Sequence, residues 1–336
     1  DSHSGWNHYL TLHFLVNDIF MVFFFGIAAK EITEACLPNG ALNPVSKAIN
    51  PLFGTIGGVL GPIGVFFGLN ALFGQPEWRN GWGIPTATDI ALAWLVMRCL
   101  FGKGHPAVSF LLLLAVADDA IGLGIIAIGY PDPAHPTEWM NLLWLIPGLA
   151  TAFCFRRFRV QSWMPYIFIG GTFSWYGLYS AHLHPALALV FIVPFLPGPA
   201  TDQGLYVETE ADHASCRHSP LENFENDLKG FVDFGLFAFA FANAGVGFAE
   251  MNGLTWLILA SLVIGKTLGI AMFSGVAVKL GFPLPAGMTF RHLIVTGVVA
   301  GLGLTVALFV CGQAFTTPAL QGASKMGAVF SVGAAF

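Results

Sequence analysis

Stretches of about 20 apolar residues recur along almost the whole chain, and that length marks a helix crossing a bilayer. Only 10% of the 336 residues are charged, against about 25% in a soluble domain. The chain therefore reads as an all-α polytopic membrane protein. Eleven spans are expected, with boundaries soft by several residues: 8–30, 48–73, 83–100, 105–130, 138–155, 163–181, 183–198, 229–249, 253–279, 287–313 and 317–336. Trp6, Trp78, Trp82, Trp139 and Trp163 fall near span ends, where interfacial aromatics sit.

The cations orient these spans. Loops on the side after the first span, with their edges, hold Lys30, Lys47, Arg98, Lys103, Arg156, Arg157, Arg159, Arg217, Lys229, Lys279 and Arg291, whereas the other side holds only Arg79. The positive-inside rule then predicts the first residue outside and the C-terminus in the cytoplasm. No signal-peptide pattern opens the chain. The one long connection, 199–228, is acidic and should be a cytoplasmic linker; His213, Cys216 and His218 in it read as part of a solvated loop rather than a metal site. Scattered cysteines suggest neither a disulfide framework nor a metal centre, and the net charge of −5 gives nucleic-acid binding no support.

Asp118 and Asp119 interrupt the apolar run Pro106–Tyr130 near its middle. One ionised carboxylate at the centre of a bilayer costs roughly 2.5–3.5 kcal/mol on insertion scales, and such residues face water, a cation or a fixed counter-charge. The surrounding spans carry an inverted repeat. Spans 48–73, 83–100 and 105–130 run outward, inward, outward, and spans 253–279, 287–313 and 317–336 run the opposite way. Each middle span is interrupted, by Pro85-Thr86-Ala87-Thr88-Asp89 in the first triplet and by Gly301-Leu302-Gly303-Leu304-Thr305 in the second. Corresponding interruptions in two halves point to a transporter binding site. Asp89 can neutralise the positive helix ends there and a lysine the negative ones. Lys266, midway along 253–279, is too central to reach either interface and needs an anionic partner, for which Asp118 and Asp119 are the candidates. Two carboxylates and one ammonium leave an unbalanced acid, which suits a cation and proton site better than a structural staple.

At these residues the chain resembles the NhaA family of bacterial sodium–proton antiporters. Gly81–Ala91 resembles the family's broken-helix signature and Ala117-Asp118-Asp119-Ala120 its ion-binding pair; Phe239–Val246 and Gly265-Lys266 match in the expected order. The resemblance covers essentially the whole chain. It implies a transporter rather than an enzyme, exchanging cytoplasmic Na⁺ or Li⁺ for external protons by alternating access in a bacterial inner membrane, with no cofactor, in the service of pH and sodium homeostasis. Two protons for one sodium would make it electrogenic. Asp119 is implied as the main cation ligand and proton carrier, with Asp118 its partner coupled to Lys266. Thr88 and Asp89 would compensate the broken-helix ends and contribute to the cation site. Asp18 matches a membrane aspartate of the family and His184 a histidine linked to pH response; an interfacial, hydrogen-bonded histidine is an equally good reading of the latter. Residues 48–130 with 253–336 are expected to form the ion-translocating core, and 1–47 with 131–252 a panel or interface domain.

Departures limit what carries over. The chain opens at what resembles the family's second helix, so the hairpin supporting a homodimer has no counterpart and the dimer mode is not inherited. The family's pH-sensing cluster falls on Ala28-Ala29-Lys30-Glu31, with Ala28 replacing a glutamate and Glu31 standing where an arginine is expected. Two rival readings keep the fold: a Na⁺-coupled transporter of an organic solute, and a non-transporting membrane sensor or subunit. Gly122, Gly124, Gly301 and Gly303 suggest tight packing around an ion-sized site.

Overall fold

The computed structural model describes residues 19–37, 45–102, 104–130, 137–198 and 219–334. Among them secondary structure is helical throughout. The helices are α1 (Met21–Ala35), α2 (Val45–Phe73), α3 (Ile90–Phe101), α4 (Pro106–Gly129), α5 (Leu145–Arg157), α6 (Gly171–Ser180), α7 (Pro220–Ala244), α8 (Gly253–Lys279), α9 (Phe290–Ala300), α10 (Thr305–Ala314) and α11 (Pro318–Ala334), with 3₁₀ segments at Pro76–Thr86, Trp139–Trp144 and Pro185–Phe191.

Ala48–Phe73, Pro106–Gly129 and Gly253–Lys279 are long and apolar enough to cross a membrane singly. Two bent pairs bring the number to five: Pro76–Thr86 with α3, at 55°, and α9 with α10, at 50°. Both bends fall at the interruptions named above. The other described helices coincide with expected spans but are shorter or carry more charge, so length and apolarity alone do not mark them as crossings.

The chain divides into two compact units, residues 1–43 with 126–239 and residues 44–125 with 240–336. Residues 44–47, 126–130 and 240–252 thus fall on the other side of the expected division.

The first unit has its own core, in which Trp163, Tyr166, Ile167, Leu189, Ile192, Leu221 and Phe224 are buried. Helices approach closely where glycines remove the side chain. A Cβ on Gly148 of α5 would stand 2.9 Å from the Gly170 carbonyl oxygen, so this crossing is made by backbones. Lys30 of α1 is buried and pairs with Glu34, 2.6 Å away, and with Glu225 of α7. Asp18 lies outside the described residues.

In the second unit α8 is central. Its Gly265 and Gly269 face Gly57 and Gly61 of α2, and a Cβ on any of the four would overlap backbone atoms of the other helix. Two small-x-x-x-small patterns, Gly57/Gly61 and Gly265/Gly269, thus bring two helix backbones into contact, which in lipid replaces a hydrophobic drive that does not exist between apolar helices. On another side of α8, a Cβ on Gly297 of α9 would lie 2.8 Å from the Thr267 Cα. The π turn Ser261–Gly265 immediately precedes Lys266, and such turns often mark functional positions. Lys266 is therefore held on a helix that packs backbone to backbone against α2.

Candidate functional site

The first interruption is extended backbone. Ala87 has φ −76° and ψ 146°, and Asp89 has φ −86° and ψ 100°. Pro85 contributes no N–H and Thr86 turns its hydroxyl onto the Gly83 carbonyl, 2.7 Å away. Across from it runs the break Gly301–Leu304, where a Cβ on Gly303 would lie 2.8 Å from Leu262 Cδ2 and 3.2 Å from the Ala87 carbonyl oxygen. Only glycine permits that approach. The two breaks hydrogen-bond directly: Asp89 N–H donates to the Leu302 carbonyl at 2.6 Å.

Each broken helix exposes amides at its N-terminus. Asp89 caps α3 by accepting from Leu92 N–H at 3.1 Å. Its other oxygen accepts from Thr305 N–H at 3.3 Å, the first residue of α10. Helix α10 has no side-chain cap of its own, since Leu304 occupies that position. One carboxylate thus serves two positive helix ends, as the sequence suggested it could. A second amide of this break, Gly303 N–H, donates to the Ser331 hydroxyl of α11 at 3.1 Å.

Lys266 meets Asp118, one of its two candidate partners, while the negative helix end that a lysine was expected to neutralise has another partner. The carbonyl end of α9 is met by Thr88, whose hydroxyl lies 3.0 Å from the Ala300 carbonyl and 2.8 Å from Asp118 Oδ2. Lys266 donates to Thr88 Oγ1 and to Asp118 Oδ2, the latter at 2.7 Å. Lysine, threonine and aspartate form a triangle. With Lys266 filling an acceptor position on the hydroxyl, the single Thr88 proton can go either to Ala300 or to Asp118.

Lys266 and Asp118 have no side-chain exposure. A buried pair survives in low dielectric only when hydrogen bonds satisfy the remaining atoms. That condition is met for Asp118 Oδ2 and not for Oδ1, which is buried without a hydrogen-bond partner among the described residues. Asp119 is half-buried, and Ala120 beyond it is exposed. A site with one ammonium, two adjacent carboxylates, a threonine hydroxyl and unwound carbonyls offers hard oxygen donors of the kind that replace a cation's hydration water.

The four glycines expected to pack tightly divide into two pairs. Gly301 is tight, with a Cβ position 2.7 Å from the Leu262 carbonyl oxygen, as is Gly303, whereas a Cβ on Gly122 or Gly124 would meet no atom within 4 Å among the described residues. Glycines one turn beyond Asp119 therefore leave open space, and those at the break close it. Asp89, Thr88, Asp118, Asp119 and Lys266 all belong to the second unit. His184 belongs to the first, where its Nδ1 accepts from Ala186 N–H at 3.2 Å and caps the 3₁₀ segment Pro185–Phe191. Ser331 and the Gly57/Gly61 pair were not singled out from sequence. The Gly-x-x-x-Gly spacing in both α2 and α8 was the available signal for the glycines; nothing local marks Ser331.

A family model described as Na⁺/H⁺ antiporter 1 matches residues 2–336. The chain is 60% identical over 328 residues to a protein of Desulfitobacterium hafniense (strain DSM 10664 / DCB-2) named Na(+)/H(+) antiporter NhaA, covering 97% of this chain and 83% of the relative. Na(+)/H(+) antiporter NhaA 2 of Pelobacter propionicus is 59% identical over 336 residues, covering 100% and 86%. The NhaA protein of Geobacter sulfurreducens is 59% identical over 324 residues, covering 96% and 84%.

Proposed function

This chain belongs to the Na⁺/H⁺ antiporter 1 family, and from that premise we propose that it exchanges Na⁺ for H⁺ at the crossing of the two broken helices. Asp118 and Asp119 carry the exchanged ions, Lys266 is the counter-charge, and Thr88 and Asp89 hold the breaks. The supporting observation is that Asp118 Oδ1 has no hydrogen-bond partner among the described residues, with a second carboxylate, Asp119, next in the sequence. A buried carboxylate oxygen that no protein group satisfies is a standing vacancy for a proton or a cation.

The cycle follows from charge balance. With the carboxylates ionised, Na⁺ gains oxygen ligands from Asp119 and Asp118 while Lys266 balances one negative charge. Protons arriving from the other side neutralise the acids and expel the cation. The two loads cannot occupy the same oxygens together, so exchange is coupled. Because Asp118 and Lys266 share hydrogen bonds with Thr88, their protons move as a coupled set rather than residue by residue. Alternating access of the repeats then carries each load across. An exchange of two protons for one sodium moves one net charge, worth about 2.3 kcal/mol per 100 mV. In the orientation set by the cation bias, the C-terminus is cytoplasmic and Na⁺ leaves the cell against entering protons.

Reconstitution in proteoliposomes tests the assignment. Asp119→Asn should fold and melt like the parent protein while sodium-driven proton flux disappears. Persistent flux in that variant would remove Asp119 from the carrier role.

A further inference from the structure

Two histidines stand in ring contact where α4 and α9 begin. The reversal from α3 into α4 turns on Gly102 and Gly104, at φ 79° and 83°, and leaves His105 stacked on Phe101 with centroids 4.8 Å apart. His292 of α9 lies edge-on to His105 at 4.9 Å and to Phe101 at 5.2 Å. Beside them, a Cβ on Gly287 in the loop before α9 would come 3.5 Å from Pro106 Cγ. All of these residues belong to the second unit.

Each imidazole also caps the helix that it opens. His105 Nδ1 accepts from Ala107 N–H at 3.1 Å, and His292 Nδ1 accepts from Thr289 N–H at 3.3 Å within a capping box. An amide N–H can only donate, so both rings must be neutral with their proton on Nε2. A second proton would land on Nδ1, turn the acceptor into a donor and break the cap. It would also place a positive charge at a helix N-terminus, where the dipole opposes it. Two such charges would repel each other across rings 4.9 Å apart. The flanking elements supply cations and no acid at this end. Their ionisable groups are Arg98 and Cys99 of α3, Lys279 of α8 and Arg291 of α9, and Lys103 lies outside the described residues. Residues 90–117 and 251–336 contain no Asp or Glu, and neither histidine makes an ion pair among the described residues.

Helix α4 carries Asp118 and Asp119 about 20 Å further along its axis, and α9 ends at the Ala300 carbonyl that Thr88 meets. The two helices joined by the stack thus converge on the ion site. We propose that Phe101, His105 and His292 form a proton-operated clamp on the cytoplasmic ends of α4 and α9, closed while both imidazoles are neutral and released when either is protonated. The sidedness and the link to transport rest on the function proposed above. Histidine is the side chain whose charge ordinarily changes between about pH 5 and 8, so the clamp responds to cytoplasmic acidification independently of the carboxylates that carry the ions. Releasing the helix ends loosens the placement of Asp118 against the second break. Protons delivered by the exchange would then slow their own entry.

Hydrogen exchange at the Ala107 and Thr289 amides of the full chain in detergent, corrected for the intrinsic effect of pH, reads the clamp without transport. From about pH 8 to about pH 5, protection of both amides should fall at least about fivefold, the equivalent of one lost cap. His105→Asn/His292→Asn keeps an acceptor, Oδ1, in place of each Nδ1 and cannot titrate; its protection should stay flat. In proteoliposomes at about pH 5.5, the double variant should retain at least about fivefold more sodium-driven proton flux than the parent, with equal flux at about pH 8. Should the double variant fail to fold, His292→Asn alone should keep Thr289 protected while Ala107 still loses protection. Flat protection in the parent, the same loss in the variant, or identical acid limbs of the two flux profiles would each overturn the clamp. Flux absent from both proteins would refute the proposed exchange instead, and the amides would still decide the clamp.

Discussion

Replacing Lys266 by Met keeps the length and bulk of the side chain while deleting its charge. Both members of the Lys266–Asp118 pair are without side-chain exposure, and the ammonium contributes two of the hydrogen bonds that join it to Thr88 and Asp118. In the variant, Asp118 keeps the Thr88 hydroxyl alone, with Oδ1 already unpartnered. Breaking a buried pair by removing one partner costs about 3–5 kcal/mol, because the surviving charge is stranded in low dielectric. Removing that charge as well should recover most of the loss, since a well-packed apolar pair often equals or exceeds the ionic one. Lys266→Met should therefore melt well below the parent in detergent, and Lys266→Met/Asp118→Leu should melt close to it. The sign with pH follows: the stranded carboxylate is relieved by taking up a proton that the unfolded chain releases near pH 4. The single variant should lose stability as pH rises from about 5 to about 8 relative to the parent. A Lys266→Met protein that melts like the parent at about pH 8, where the stranded charge would be fully ionised in the unfolded chain, would refute the pairing.

Two further substitutions probe the scaffold. Gly269→Ala would drive its methyl into the backbone of α2 at Gly57. Since backbone cannot yield as a side chain can, a loss of at least about 1–3 kcal/mol is expected, read as a lower melting temperature with reduced exchange. Asp89→Ala removes the acceptor for Leu92 and Thr305 together. It should cost about 1–3 kcal/mol from two helix ends, and Asp89→Asn, which retains one acceptor oxygen, should cost less; equal melting of the two variants would argue against a contribution from the capping hydrogen bonds themselves.

Signals that break a local rule were legible in the sequence. Aspartates in an apolar run, and Pro and Gly in the middle of a span, conflict with their surroundings. The conflict located Asp118, Asp119, Asp89 and both breaks without knowledge of their neighbours. What stayed hidden depends on partners distant in sequence. Thr88, rather than lysine, meets the carbonyl end of α9, because the Ala300 carbonyl comes within hydrogen-bond reach of residue 88 only after the two breaks cross. Ser331 reaches the Gly303 amide from another helix altogether. Gly122 and Gly124 look the same in composition as Gly301 and Gly303, but the first pair borders open space and the second a helix backbone. Helix length was also overestimated where apolar residues continue through 3₁₀ turns, as across Pro185–Phe195.

Competition between Na⁺ and protons for the same carboxylate oxygens is the central claim, and proton release on sodium binding measures it most directly. Calorimetric titration of the purified protein with Na⁺, in buffers of different ionisation enthalpy, counts the protons expelled per cation bound. The parent should release protons and Asp119→Asn should bind little Na⁺ and release none. Sodium binding without proton release in the parent, or the same release from Asp119→Asn, would contradict the mechanism.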